Sequence, residues 1–149
     1  AGIGRVPLDN KLEVEGEASK TTAGSWGANS DARIKTDIAT VTNALETLDS
    51  VRLVSFRYTD QYRAEHPSIT GQRYLNVIAQ EFQEVFPEYV KPSGEKLPDG
   101  SDILQVDTYP ITIYTAAAVQ ELRRQLTEKD AQIQALKEEI EKIKAVIGL

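Results

Sequence analysis

Asn29-Ser30-Asp31-Ala32-Arg33-Ile34-Lys35 joins two unlike segments of the chain. Upstream, residues 1–29 are rich in Gly, Ser, Thr and Ala and carry little helical pattern. Downstream, Ile34, Ile38, Val41, Leu45 and Leu48 recur at three- and four-residue steps, which predicts a helix from Asp31 with one apolar face. Ser30 then has two readings. It is a good N-cap for that helix, with Asp31 in the first turn to suit the macrodipole and Lys35 solvated. It is also a possible nucleophile with Lys35 as its base. Spacing favours the cap, because i and i+5 do not share a helical face. Ser30 reaches Lys35 only if it lies off the helix, or if another subunit supplies one partner.

Either side of the joint, the pattern is mixed. Residues 1–16 read as a turn and a short strand, with Leu12 and Val14 alternating with Lys11, Glu13 and Glu15. A second strand is possible around Thr21 to Trp26. Val51 to Tyr58 alternates as a strand, and residues 59–72 read as a polar loop. Tyr74 to Ile78 predicts a short strand and Ala79 to Phe86 a short helix stopped by Pro87. Leu97-Pro98-Asp99-Gly100 reads as a hairpin turn before a strand containing Ile103, Leu104 and Val106. A long helix is predicted from about Pro110 to Ile147, closed by Gly148.

In that helix a heptad places Val119, Leu126, Ile133, Ile140 and Ile147 at a, and Leu122, Lys129, Leu136 and Ile143 at d. Only Lys129 breaks the seam. This is a coiled-coil pattern, and isoleucine at both a and d tilts it toward three strands. Glu139 and Lys144 are spaced for an interchain pair. The alternative is a long amphipathic helix packed within its own chain.

Composition removes several classes. The 149 residues suit one ordinary domain, but an extended helix leaves a small compact part, which favours oligomerisation. There is no cysteine and one histidine, so no disulfide, cofactor or metal site is expected. A net charge of −6 and a pI of about 4.9 argue against nucleic acid as a partner. A zipper-type DNA-binding protein fails on the same ground, since no basic run precedes the heptads and Arg123-Arg124 alone cannot neutralise enough phosphates. No apolar run reaches the ~20 residues of a membrane span, so no membrane partner is expected. No signal peptide is visible, and a longer chain upstream leaves targeting open.

The blocks SDARIK with TDI, NVIAQEFQEVFPEYV, ILQVD and AAAVQELRRQL occur in this order over about residues 25–125. Together they resemble the intramolecular chaperone domain of phage tailspikes and tail fibres, the endosialidase type, classed as a self-cleaving peptidase. The same signature occurs in the cleavage domain of the myelin regulatory factor. GIGRVPLDNKLEVEG upstream resembles the end of a fibre shaft. The resemblance implies an α+β chaperone domain over 30–112, after a β-rich shaft end and connector at 1–29. A three-stranded parallel coiled coil follows at 113–149, with Leu126, Ile133, Leu136, Ile140, Ile143 and Ile147 in its seam. It implies a homotrimer that helps the upstream fibre of the same chain find its register. Each chain then cuts itself at Asn29–Ser30, with Ser30 as nucleophile and Lys35 as general base. Asp31, Arg33, Gln80 and Glu81 are possible supporting residues. The precursor would assemble in a host cytoplasm and shed its chaperone part after the cut. Many members carry His-x-Gly ahead of the I-A-Q-E block, where this chain has Tyr74 and Asn76; its one histidine, His66, lies in the preceding loop. A structural trimerising cap that never cuts is the alternative, and Ser30 with Lys35 discriminates the two.

Overall fold

The computed structural model describes residues 1–23 and 25–148. The chain is α+β, with contacts grouped into two units: residues 1–40 with 51–108, and residues 41–50 with 109–149.

The first unit holds three two-stranded sheets. Its apolar core gathers on α3 (Ala79–Val85), which packs against the hairpin of β5 (Val90–Lys96) and β6 (Asp102–Val106). Phe82 and Phe86 sit four residues apart on the inner helical face, and their rings meet at 5.1 Å. Phe82 is only 1% exposed, and Val77, Phe86 and Val90 are buried as well. Pro87 has no N–H to continue the helix, so the chain tightens into a 3-10 turn, Pro87–Tyr89, and enters β5. The predicted hairpin turn is present: Gly100 N–H donates to Leu97 O at 2.9 Å, and Gly100 takes the left-handed φ of 85° that the turn requires.

Beside this core, β3 (Val54–Phe56) pairs antiparallel with β4 (Tyr74–Asn76), so the strand expected over 51–58 is shorter than its alternation suggests. Phe56 lies opposite Tyr74 in register. The stretch expected as a polar loop contains α2 (Asp60–Glu65), capped by the Thr59 hydroxyl, which accepts from Tyr62 N–H at 3.2 Å. This short helix brings Tyr62 onto Tyr58, and Tyr58 onto Phe56 and Tyr74. A partly buried aromatic cluster results.

At the N-terminus, β1 (Gly2–Ile3) and β2 (Glu13–Val14) pair in parallel. The expected alternation is inverted. Leu12 is 58% exposed, and Glu13 is the buried residue. The reason is polar: Glu13 Oε1 accepts the backbone N–H groups of Leu8, Asp9 and Asn10 at 3.1, 2.6 and 2.6 Å. Three such donors, with Arg5 at 3.3 Å, satisfy a carboxylate better than the outer face would. In the stretch from Thr21 to Trp26, Gly24 lies outside the described residues, and the others form no strand.

The helix expected from Asp31 through Leu48 is also corrected. Only Ala44–Asp49 is helical (α1); residues 32–34 form a 3-10 turn, and the chain between is irregular. Asp37 and Asn43 take left-handed φ values of 53° and 54°, which a continuous helix cannot accommodate. Ile34 and Ile38, meant for a buried face, are 65% and 71% exposed.

In the second unit α1 packs on α4 (Tyr109–Ile147). Buried Ala44 and Ala118 let the two backbones approach closely. Asn43 offers α1 no side-chain cap. Glu121 of α4 does so instead, taking the N–H of Ala44 at 3.0 Å and of Leu45 at 3.1 Å. Those two donors hold its carboxyl below the ordinary carboxylate range. α4 runs 39 residues, or about 58 Å at ~1.5 Å per residue. Every described residue from 122 to 148 is exposed, the heptad stripe included. Lys144 pairs with Glu141 of the same helix at 2.8 Å.

Glu13 generates a pH prediction. Hydrogen bonds from Asp9 and Asn10 lead in lowering its pKa from 4.5 to about 2. A carboxyl depressed on folding contributes stability that is complete above its unfolded pKa and is lost as pH falls through the folded one. Amide exchange at Leu8, Asp9 and Asn10 is therefore expected to accelerate as pH drops from about 4.5 to about 2, after correction for intrinsic rates. Glu13→Gln should expose these amides at neutral pH and flatten the profile. Unchanged protection in that variant would contradict the role given to the carboxylate.

Candidate active site

The joint segment folds locally. Asp31 is extended and caps the 3-10 turn Ala32–Ile34, its Oδ1 accepting Arg33 N–H at 2.8 Å. The Arg33 guanidinium closes on the same carboxylate, Nε to Oδ1 at 3.0 Å and Nη2 to Oδ2 at 2.6 Å. That side chain, then the backbone N–H, holds the Asp31 carboxyl below its ordinary range. Ile34 N–H to Asp31 O and Lys35 N–H to Ala32 O complete the turn. Lys35 leaves it extended, with φ −117° and ψ 146°.

This geometry removes the obstacle that helical spacing raised. Ser30 lies before the cap and Lys35 just past the turn. Lys35 Nζ reaches Ser30 Oγ at 2.6 Å within one chain. With an ammonium the nitrogen donates. With a neutral amine the same contact runs the other way, and nitrogen accepts the hydroxyl proton. Asn29, Ser30 and Lys35 are all exposed, so the Asn29–Ser30 peptide is open to water.

The other sequence-predicted residues fall into separate groups. Gln80 and Glu81 lie in the first turn of α3. Glu81 binds Arg52 at 2.7 Å, bracing the segment before β3 against α3; its second oxygen, Oε2, is buried without a hydrogen-bond partner. Tyr74 OH accepts from Thr70 N–H at 3.2 Å. Among the described residues, no hydrogen bond links Gln80, Glu81, His66 or Tyr74 to Ser30 or Lys35.

Sequence reading missed a second polar cluster. Glu95 of β5 takes Arg5 Nη2 on Oε1 at 2.7 Å and Tyr62 OH on Oε2 at 3.0 Å. His66 Nε2 stands 3.4 Å from Oε2, with its ring stacked on Tyr62 at 4.0 Å and Nδ1 2.9 Å from Tyr62 O. Burial pushes the Glu95 carboxyl up, but the bonds from Tyr62 and Arg5 and the charges of Arg5 and His66 prevail, holding it below its ordinary range. Burial and Glu95 raise Tyr62, which stays a donor. Clefts of about 340 and 280 Å³ flank the cluster, both lined by His66 and Glu95. The Thr59-Asp60 cap was the available signal for α2; nothing local announces the partnership of Arg5 with Glu95.

Residues 30–91 match the family model described as chaperone of endosialidase, peptidase S74. The match begins at Ser30, the residue whose hydroxyl Lys35 holds. Residues 30–91 are thus similar to the chaperone-of-endosialidase family, as the SDARIK and IAQE blocks indicated.

Proposed function

We propose that this chain is a trimerisation chaperone for an upstream fibre or tailspike segment, and that it cuts itself at Asn29–Ser30 through Ser30 and Lys35. The carrying observation is the 2.6 Å contact between Lys35 Nζ and Ser30 Oγ at the start of the family segment. Neutral Lys35 takes the Ser30 hydroxyl proton as Oγ attacks the Asn29 carbonyl. The proton passes to the departing Ser30 nitrogen as the peptide C–N bond breaks. An ester joins Asn29 to Oγ, and Ser30 carries a free amine. Water then hydrolyses the ester, leaving an Asn29 carboxylate and an intact Ser30. Attack on the adjoining peptide has a high effective molarity, so one turnover needs little further catalysis.

Assembly supplies what the single chain lacks. A free lysine titrates near ~10.4, and apolar burial favours its neutral form. Lys35 is exposed in the single chain, flanked by exposed Ile34 and Ile38. Leu126, Ile133, Leu136, Ile140, Ile143 and Ile147 are exposed too, a stripe suited to two further copies of the same helix. Packing three chains would cover the isoleucines and desolvate the lysine, so that cutting follows completed folding. The setting that fits is a phage tail precursor in a host cytoplasm. Exposure of both dyad members also suits the second reading, a trimeric cap that never cuts.

Sedimentation equilibrium should give a trimer at micromolar concentration. Ile140→Asp with Ile143→Asp should dissociate it, since each buried unpaired charge costs about 3–5 kcal/mol. A wild-type monomer or dimer would refute the assembly.

Intact-mass spectrometry tests the cut. One break is expected, giving a C-terminal fragment that begins at Ser30, without added protease or metal. Ser30→Ala should abolish it with the trimer retained. Lys35→Arg should block it as well, because arginine keeps its proton. Asp31→Ala should slow it by about tenfold, roughly 1.4 kcal/mol of barrier, by loosening the turn. The rate should rise with pH, since only the neutral amine accepts a proton, and fall in the seam variant. A confirmed trimer left unbroken after long incubation at mildly alkaline pH favours the non-cutting cap.

A further inference from the structure

The proposed cut separates residues 1–29 covalently from the chaperone segment, yet residues 1–16 are bound to that segment at several points. Arg5 holds Glu95 at 2.7 Å. Lys91 reaches Asp9 at 2.8 Å and Asn10 at 2.9 Å. Ser68 OH donates to Glu15 at 2.5 Å. Leu8 lies so close over Gly94 that a Cβ there would stand 2.6 Å from the leucine Cβ, and the Gly94 φ of 88° also disfavours a side chain. By contrast, every described residue from 16 to 40 is exposed. The connector across the scissile bond is therefore not what holds the two pieces together.

Arg5 and Glu95 are largely covered, at 22% and 16% exposure for their side chains. Glu95 is prepared from the chaperone side by Tyr62 and His66 on Oε2, leaving Oε1 for the guanidinium. Arg5 is prepared from the other side by Glu13, whose remaining oxygen folds the 8–10 loop. Both halves of the latch are thus ordered by contacts within their own segments, which reduces the ordering entropy that docking must overcome.

We propose that residues 62–96 form a docking site for residues 1–16 of the same chain, so that the shaft end stays bound after the Asn29–Ser30 bond is cut. This rests on the cut proposed above only for its consequence; the dock exists in the uncut chain. Cleavage ends the tether's effective concentration, which is in the millimolar range for short flexible linkers. In a trimer three docks act together and restore part of it as avidity. Release then requires a second event that weakens the ion pairs.

The test makes a break that does not depend on Ser30. In the full chain carrying Ser30→Ala, residues 19–25 are replaced by a site-specific protease sequence. The protein is cut, gel-filtered at low and at high salt, and the fractions are weighed by mass spectrometry. The N-terminal piece is expected to co-elute with the remainder at low salt and to separate at high salt. Arg5→Ala, which leaves the chaperone segment untouched, should lower retention at least tenfold. Arg5→Glu should abolish it, and Arg5→Glu with Glu95→Arg should restore it in part. Separation of the parent's piece at low salt, or full retention in Arg5→Glu, would overturn the dock. Because Ser30 is absent throughout, failure of self-cleavage leaves the result intact.

Discussion

The Asp31 carboxylate gripping Arg33 by its backbone N–H and its guanidinium decides where the lysine goes. In a continuous α-helix Lys35 would sit about 140° around the axis from Ser30, beyond contact. The 3-10 turn and the extended Lys35 replace that rotation with a reversal. Exposed ion pairs contribute little stability, so the guanidinium alone is not enough. The backbone capture and the two turn hydrogen bonds set the geometry, and the left-handed Asp37 keeps a helix from re-forming downstream. The same Ser and Lys on an ideal helix would have no chemistry between them.

That constraint explains what the sequence disclosed and what it hid. α4 was legible because 39 residues of periodic pattern run without an interior breaker. The Pro98-Asp99-Gly100 turn was legible because its backbone demands those residue types. Leu45 and Leu48 do lie on α1, but Ile34 and Ile38 misled, being exposed on irregular chain. Spacing cannot distinguish an isoleucine kept for a partner from one that packs at home. The motif singled out Ser30 and Lys35 against their spacing, since the turn between them is set by a short-range carboxylate contact that periodicity does not encode. Glu13 inverted its strand because three backbone donors outbid an apolar neighbour. Arg5 with Glu95 is a long-range pair with no local trace.

The exposed surfaces have a common logic. A cis reaction on an adjoining peptide needs no substrate pocket, and the clefts beside His66 and Glu95 are not lined by Ser30 or Lys35. What such a reaction needs is a clock. If the nucleophile and base meet in each chain from the outset, the remaining variable is the lysine's proton, and solvent controls that. In the proposed scheme, covering the dyad by assembly would link proton loss to subunit packing, so that chemistry would wait on register without any moving lid.

A chaperone that acts on its own chain also faces a problem of leaving. It must bind the shaft end well enough to set register, and that affinity does not vanish when a peptide bond breaks. Breaking the tether as proposed would leave the dock's contacts in place, because those of Arg5, Asp9, Asn10 and Glu15 lie well upstream of the scissile bond. Ion pairs at the dock, in place of an apolar interface, suit a grip that must eventually open. Their strength varies with ionic surroundings, whereas buried apolar area would hold regardless. In the proposed scheme the cut would make departure irreversible, and the polar dock would set when it happens.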